Sequence, residues 1–166
     1  GGAWGERLQS VAGSTADGRD TWGRGGENYG TVNVSTGGAV VLASLGGPVA
    51  KHGNRAVSSL SGASDVLAAL GVPLLSDGAE LARQMRDTNA IFLAAPNHHP
   101  AMRHAAGVRR ALGLPTLFNL VGPLVNPAGV KRQLLGVFSA QWLYPIAEVL
   151  RQLGSQCVWA VCGQPR

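Results

Sequence analysis

The sequence has 166 residues, 45% of them hydrophobic and 5% aromatic. A chain of this length can bury a sizeable core, and we predict one domain over residues 1–166. The formal net charge of +5 favours an anionic partner, which could be a phosphorylated small molecule, nucleic acid or a membrane surface.

The first third of the chain combines a glycine-rich start with one clear helix. Gly1 to Gly30 shows no sustained periodicity and is predicted to be mostly loop, including all of residues 1–19. Asn33 to Leu45 then has the polar start and apolar body of a buried helix. Pro48 to Lys51 is a short apolar run, interpreted as a strand that leads into a loop.

The middle of the chain predicts helix, helix, strand and helix. Ser64 to Leu70 is helical and is closed by a glycine, and Asp77 caps a helix that runs to about Asp87. Ala90 to Ala95 is predicted as a buried strand. Pro100 to Leu112 is predicted as a helix with proline near its first turn and Gly113 as its stop.

The last third predicts a loop followed by strand, helix and strand. The loop is rich in Asn, Gly and Pro, and the elements after it are Leu134 to Phe138, Tyr144 to Leu153 and Cys157 to Val161. The alternation of strands and helices indicates an α/β domain with a mainly parallel sheet flanked by helices. Because a sheet edge usually needs the connection that follows it, we expect this domain to be cut short after the last strand.

The cysteine spacing and the lengths of the apolar runs indicate in which cellular compartment we expect the protein. Cys157 and Cys162 have an odd separation, which places them on opposite faces of a strand, unsuited to a disulfide or a shared metal. No apolar run reaches the length of a membrane span, and Gly1 to Ser10 lacks the features of a signal peptide. We expect a soluble cytoplasmic protein that does not interact with membranes.

Two segments carry the residue types of an anion site. The first has Gly23, Gly25 and Gly26 before a helix that starts with Asn33, Ser35 and Thr36. Helix starts favour anions, so this segment could cradle a phosphate, although a glycine loop before a capped helix is more often only a turn.

The second segment, Lys51 to Ser59, has two cations, an imidazole, an amide and two hydroxyls in a loop after a strand. Ligands usually lie at the carboxyl ends of strands in open α/β sheets. A solvated basic turn explains the same residues about equally well.

Three segments in order resemble anthranilate phosphoribosyltransferases: Asn33–Thr36 (NVST), Lys51–Ser59 (KHGNRAVSS) and Phe118–Pro127 (FNLVGPLVNP). The resemblance runs from about Asp20 to Gly163. Pyrimidine nucleoside phosphorylases, which have a similar fold, would continue differently after the Lys-His pair. The resemblance implies a truncated nucleoside phosphorylase/phosphoribosyltransferase-like catalytic domain. It also implies an N-terminal helical domain, which makes the family's homodimer, and a C-terminal part, and we expect both to be absent from this sequence.

The resemblance also implies a binding site for phosphoribosyl pyrophosphate. The family's glycine loop, Gly-Thr-Gly-Gly-Asp, matches residues 23–27, where Arg24 and Glu27 depart from it. The implied contacts are Gly23, Gly26, Glu27, Thr31, Asn33, Val34, Ser35, Thr36, Lys51, His52, Gly53, Asn54, Arg55, Ala56, Val57, Ser58, Ser59 and Ala63.

For anthranilate, the resemblance implies contacts with Gly23, His52, Asn54, His99 and Arg109, with Pro96 and Met102 nearby. A guanidinium suits a benzoate carboxylate. Without the resemblance, Arg109 is better explained as a solvated helix arginine. His98 and His99 are adjacent, so their side chains diverge, and we interpret them as turn or capping residues and not as a metal pair.

A magnesium ion is the implied cofactor, and Ser35 is its implied ligand. The family's acidic pair of metal ligands would follow the last strand and is missing. The implied reaction transfers phosphoribosyl to anthranilate, in the pathway to L-tryptophan, and needs no protein nucleophile or acid–base residue. Phe118 to Pro127 is expected to support the site. Two alternatives remain: a noncatalytic relative that binds anions, with nucleic acid disfavoured by the few aromatics, and an inactive fragment.

Overall fold

The computed structural model describes residues 17–23, 33–55, 62–100, 103–112 and 116–163. Five strands form one sheet: β1 (Arg19–Trp22), β2 (Val49–Gly53), β3 (Ala90–Ala94), β4 (Arg132–Gly136) and β5 (Cys157–Val161). All neighbouring pairs are parallel and the order is β3-β2-β1-β4-β5. The predicted α/β architecture with a parallel sheet is therefore confirmed.

Seven α-helices lie within the described ranges: α1 (Val34–Ser44), α2 (Ala63–Ala69), α3 (Gly78–Thr88), α4 (Ala95–His98), α5 (Arg103–Leu112), α6 (Leu117–Val121) and α7 (Leu143–Gln152). Short 3-10 turns occupy Gly122–Leu124 and Ala140–Trp142. The carboxylate of Asp77 caps α3 by accepting hydrogen bonds from the amides of Ala79 and Glu80 at 2.9 and 3.0 Å. Within these ranges, every helix is too short or too polar to cross a membrane.

Helices cover both faces of the sheet. On one face, Ala39 and Ala43 of α1 pack against Val49, and Leu67 of α2 packs against Phe92. The helices α3 and α7 cover the opposite face, because Ala50 and Leu135 alternate in direction with the residues that face α1. The core therefore has one layer on each side of the sheet, as parallel sheets require.

β1 lies inside the stretch that we predicted to be loop, so that prediction was wrong for Arg19 to Trp22. The strand is central in the sheet, yet it carries Asp20 and Thr21 as buried residues and has no apolar run. Its position comes from pairing with β4 over its whole length, which local periodicity does not reveal.

The Asn-, Gly- and Pro-rich loop was also predicted incorrectly, because it contains α6. The amide of Thr116 donates to Asn119 Oδ1 at 2.8 Å, and the amide of Asn119 donates to the carbonyl of Thr116 at the same distance. These reciprocal bonds start a short helix in a segment whose composition predicts turns. The short helix α4, between the predicted strand and helix, was likewise missed.

α1 has the predicted position but is not fully buried. Val34, Val40 and Leu45 are 73%, 58% and 79% exposed. On the same face of the sheet, Leu134 and Trp159 of the neighbouring strands β4 and β5 are 42% and 69% exposed. The apolar surface of the described residues therefore continues from α1 onto the β4–β5 half of the sheet.

Candidate functional site

The strand order reverses between β1 and β4, because the chain runs outward from β1 through β2 to β3 and then returns to β4. In open parallel sheets, ligands bind outside the carboxyl ends of the strands at such a reversal. Gly23 follows β1 at this edge, and Asn54 and Arg55 follow β2. The start of α1 lies at the same edge.

Gly23 fits against the first turn of α1. A Cβ atom at this position would lie 2.9 Å from Ser35 Cβ and 3.0 Å from Ser35 Oγ, so a larger residue would displace the helix. The hydroxyl of Thr21 donates to the carbonyl of Ser35 at 2.9 Å. The positive end of the helix dipole is thus held at the end of β1, where it favours an anion.

Polar oxygens cluster at the start of α1. The hydroxyl of Thr36 donates to Asn33 Oδ1 at 2.7 Å, and that of Ser35 lies 3.4 Å from the same oxygen. The ammonium of Lys51 donates to Ser35 Oγ at 3.3 Å and also to the carbonyl of Thr21. A cation, two hydroxyls and a helix start therefore meet in one place.

Lys51, His52 and Gly53 belong to β2, whereas we predicted that they lie in a loop after the strand. All three are buried, and they pair with Phe92, Leu93 and Ala94 of β3. The strand continues through the charged residue because the Lys51 side chain finds partners on β1 and α1. Burial lowers the pKa of Lys51, and the negative charge of Asp20 opposes that shift.

Asp20 is a buried carboxylate that the sequence analysis did not select. Its Oδ2 accepts hydrogen bonds from Trp22 Nε1 at 2.6 Å and from Asn126 Nδ2 at 2.7 Å, and its Oδ1 accepts one from the amide of His52 at 3.2 Å. Burial raises the pKa of Asp20, although Lys51 and the hydrogen bonds act in the opposite direction.

Three rings line up on the same side of the sheet. The rings of Trp22 and His52 are 5.4 Å apart at 68°, and those of His52 and His99 are 5.0 Å apart at 68°. Burial, followed by the charges of the neighbouring histidines, lowers the pKa of His52 to about 3. His52 is therefore neutral at physiological pH and presents an aromatic surface more than a charge.

Close backbone packing marks the end of β2. A Cβ atom at Gly53 would lie 3.1 Å from the ring of Phe92 and 3.4 Å from Cβ of Ala63. The amide of Ser64 donates to the carbonyl of Asn54 at 3.3 Å. The start of α2 is thereby joined to the end of β2.

The structure brings the predicted residues together in three groups: Gly23 with Asn33, Ser35, Thr36 and Lys51, then His52 with His99, and finally Gly53 with Asn54 and Ala63. Val34 and Arg55 are exposed at the same edge, Pro96 is exposed on α4, and Arg109 lies on α5. Predicted residues outside the described ranges are Arg24, Gly25, Gly26, Glu27, Thr31, Ala56, Val57, Ser58, Ser59, Met102 and Gly113.

Sequence reasoning missed Asp20 and Trp22, which lie on a strand that was predicted as loop. Asn126 was included only as part of the Phe118–Pro127 segment that was expected to support the site. Their association joins positions far apart in the chain, so local pattern carries no signal for it.

The described residues contain no group of three or more His, Cys, Asp or Glu side chains that could hold a metal. Cys157 and Cys162 are free thiols, and Cys162 lies just after the end of β5. Oxygen atoms of Asn33 and Ser35 adjoin each other at the start of α1 and are of the type that Mg²⁺ prefers. These two residues could complete a metal site that takes its other ligands from a phosphorylated substrate and water.

Comparison with known proteins agrees with this geometry. The family described as "Glycosyl transferase family, a/b domain" matches residues 16–164. An anthranilate phosphoribosyltransferase from Gluconobacter oxydans is 59% identical over 144 residues, which are 87% of this chain and 40% of that protein. One from Rhizobium johnstonii is 57% identical over 89% of this chain and 44% of its own length. The chain spans about half the length of the curated relatives it matches, or less.

Solved structures give the same result. Anthranilate phosphoribosyltransferase from Thermus thermophilus aligns with a TM-score of 0.79 and 46% identity over 90% of this chain and 45% of that one. The Saccharomyces cerevisiae protein in complex with PRPP and Mg aligns with a TM-score of 0.74 and 32% identity over 93% of this chain and 46% of that one. The chain therefore belongs to the glycosyl transferase family with this α/β domain, and its relatives are anthranilate phosphoribosyltransferases.

Proposed function

We propose that this chain forms the central part of the active site of an anthranilate phosphoribosyltransferase, which makes N-(5-phosphoribosyl)anthranilate and pyrophosphate in tryptophan biosynthesis. The observation that carries the proposal is the meeting of Lys51, Ser35 and the start of α1 beside the ring group of Trp22, His52 and His99. One side suits a phosphorylated sugar and the other an aromatic acid. Relatives with these printed activities match most of the chain.

The phosphoribosyl pyrophosphate side is built on the face of the sheet that α1 covers. The buried ammonium of Lys51 lies within reach of Ser35 Oγ, and the exposed Arg55 follows at the end of the strand. An anion bound here would raise the pKa of Lys51 again, because it favours the charged form. The remaining residues in this half of the proposal are the glycine loop and the segment up to Ser59, which rest on the family resemblance.

Magnesium belongs to the same half of the site. We propose that Ser35 holds it through its hydroxyl and that the pyrophosphate supplies further oxygens. When bound, the ion stabilises the negative charge that develops on the departing pyrophosphate. A Saccharomyces cerevisiae relative was solved with PRPP and Mg.

The anthranilate side consists of the ring group together with Asn54, Gly23 and Arg109. The half-buried ring of His99 adjoins the buried ring of His52, which gives an apolar aromatic wall at the sheet edge. Arg109 would pair with the carboxylate of the acceptor, as a guanidinium does in two parallel hydrogen bonds. A Saccharomyces cerevisiae relative was solved with 4-fluoroanthranilate.

The reaction requires positioning more than acid–base chemistry. The lone pair of the anthranilate nitrogen forms a bond to C1 of ribose while the C1–oxygen bond breaks and its electrons leave with pyrophosphate. The amine then loses one proton. The residues of this chain would hold the two substrates in line and stabilise the leaving anion through Lys51, Arg55 and the amides of α1.

The test is the loss of anthranilate fluorescence on mixing the purified protein with phosphoribosyl pyrophosphate and Mg²⁺. We expect Arg109→Ala to lower kcat/KM for anthranilate about tenfold to a hundredfold, the range for a charged hydrogen-bonded pair. Arg110→Ala on the same helix is the matched control and should stay near wild type. An equal loss of kcat/KM in both variants would show that Arg109 does not bind the anthranilate carboxylate. The absence of turnover by a folded wild-type protein would refute the proposed activity.

The metal ligand is tested separately. We expect Ser35→Ala to raise the Mg²⁺ concentration that gives half-maximal activity, because one oxygen ligand is lost. Ser44→Ala is the control, since this serine lies at the exposed far end of α1 and donates to the carbonyl of Val41. An unchanged Mg²⁺ dependence in Ser35→Ala would exclude the hydroxyl as a ligand.

We further propose a cytoplasmic location and a homodimer formed through an N-terminal helical domain of the family. Both proposals rest on the resemblance, and neither uses a surface of the described residues. The mass of the protein in solution, measured by light scattering, tests the dimer.

A further inference from the structure

The backbone pairing between β1 and β2 is interrupted toward the carboxyl ends of the strands, where the candidate site lies. β1 registers with β4 at all four of its residues, but in the described sheet it registers with β2 only at Arg19 and Val49. Beyond that pair, two backbone groups of β2 that face β1 bond to side chains. The amide of His52 donates to Asp20 Oδ1, and the carbonyl of Ala50 accepts from Asn126 Nδ2 at 2.9 Å.

Side-chain hydrogen bonds of Asp20 and Asn126 bridge the two strands where the backbone pairing is interrupted. Asn126 Nδ2 donates both to Asp20 Oδ2 and to the carbonyl of Ala50, while Asn126 Oδ1 accepts from the amide of Ala128. Asp20 is 1% exposed, so its charge is tolerated only because donors surround it. We call this pair, with the bonds just described, the Asp20–Asn126 clasp.

The clasp also fixes the ring group. Asp20 Oδ2 accepts the indole N–H of Trp22 at 2.6 Å, a short bond of the charge-assisted kind. A Cβ atom at Gly122 would lie 3.3 Å from the same indole, so the segment before Asn126 packs closely on it. The backbone of His52 is held by the other carboxylate oxygen. One carboxylate therefore orients the indole of Trp22 and holds the backbone from which the adjacent ring of His52 projects.

The hydrogen bonds of Lys51 lie outside the clasp, although the negative charge of Asp20 favours its charged form. Its ammonium donates to the carbonyl of Thr21 and to Ser35 Oγ, on the face that α1 covers. Asp20, Trp22 and His52 alternate with Thr21 and Lys51 along the strands and so face the other side. A change in the clasp should reach the rings much more strongly than the phosphate side.

We propose that Asp20 is a positioning residue for the acceptor half of the site, where it fixes the indole of Trp22, and the backbone of the buried His52 that packs behind it, in the wall against which the aromatic acid binds. This inference rests on the proposed function for the identity of the acceptor. The arrangement of the clasp itself does not depend on it.

Kinetics of Asp20→Asn, made in the protein expressed from its complete reading frame, test the role. Asparagine keeps the size of the aspartate side chain and its Oδ1 acceptor but loses the negative charge. Its Nδ2 group, which replaces Oδ2, is a donor and cannot accept the hydrogen bonds from Trp22 Nε1 and Asn126 Nδ2. We expect KM for anthranilate to rise about tenfold, the effect of one weakened charged hydrogen bond. KM for phosphoribosyl pyrophosphate should rise by a clearly smaller factor, because Lys51 keeps its hydrogen-bond partners and loses only the nearby charge of Asp20, which favours its charged form.

Asp17→Asn is the matched control, since this carboxylate lies just before β1 and is exposed in its ion pair with Arg132. It should leave both KM values unchanged. An equal rise in both KM values for Asp20→Asn, or a lower kcat at unchanged KM, would overturn the proposal. The latter result is what a merely structural loss of folded protein gives.

Nuclear magnetic resonance gives a readout that needs no turnover. The indole N–H signal of Trp22, identified by its loss in Trp22→Phe, should move upfield and exchange faster with solvent in Asp20→Asn. Asn126→Ala should move the same signal in the same direction by a smaller amount, and Asp17→Asn should not move it.

The kinetic and resonance experiments together distinguish a failure of the proposed function from a failure of the inference about Asp20. If the wild-type protein does not transfer phosphoribosyl, the proposed function fails, and the indole signal still decides whether Asp20 positions Trp22. An unchanged indole signal in Asp20→Asn overturns the inference whatever the activity.

Discussion

Acidification should destabilise this protein through the buried histidine of β2. His52 is 2% exposed, and its pKa is lowered to about 3 in the folded state from the ordinary value of 6.5. Below pH 6.5 the unfolded chain therefore binds a proton at this position that the folded protein does not bind. The stabilising contribution is complete above pH 6.5 and is lost as the pH falls toward 3.

The size of the effect follows from this difference in pKa. Between pH 7 and pH 5, the unfolded imidazole gains most of one proton while the folded one stays neutral. At 1.36 kcal/mol for each pH unit, His52 should reduce the free energy of unfolding by about 2 kcal/mol over this interval. Burial also lowers the pKa of His98 and His99, which adds to the loss. The raised pKa of Asp20 acts in the opposite direction, because there the folded state binds the extra proton.

Urea denaturation of wild type and His52→Gln at pH 7 and pH 5 isolates the His52 contribution. Each protein is compared with itself at the two pH values, so any packing defect of the variant cancels, as do the effects of the other titrating groups to a first approximation. We expect the acid loss to be about 2 kcal/mol smaller in His52→Gln. Equal acid losses in wild type and His52→Gln would refute the reasoning.

Two further predictions concern packing and are measured by the same denaturation assay at pH 7. Gly53→Ala should destabilise the protein by about 1–3 kcal/mol, because the added Cβ would lie 3.1 Å from the buried ring of Phe92. Gly38→Ala should stabilise the protein by about 0.5–1 kcal/mol, because Gly38 lies inside α1 with open space for a Cβ. Leu135→Ala, at 1% exposure, should cost about 2–5 kcal/mol, and the neighbouring Leu134→Ala, at 42% exposure, should cost clearly less; equal costs would contradict the assignment of the two sheet faces.

Local pattern was sufficient for the elements whose stability is local. The helix from Gly78 to Thr88 was predicted from its Asp77 cap and its apolar spacing, and the strand from Cys157 to Val161 was predicted at its observed bounds. Gly71, which ends a helix with a φ of 76°, was identified because glycine adopts that conformation without strain.

β1 could not be predicted in the same way. It is a strand because β2 and β4 flank it, and its polar side chains are buried because distant groups satisfy them. The loop assignment of Lys51 failed for the same reason, since the partners of its ammonium lie on β1 and α1. The candidate residues came from the family resemblance, and the network around Asp20 became visible only in three dimensions.

The place of β1 in the sheet has a consequence for biosynthesis of the chain. Of the five described strands it leaves the ribosome first, both of its neighbours in the sheet are made later, and β4 is made much later than β2. Until β4 emerges, one edge of β1 has no strand to pair with, whereas β2 and β3 can already pair and bury Ala50, Ile91 and Leu93. The described sheet therefore grows from one flank, and the pairing of its central strand is among the last parts of that sheet to be completed.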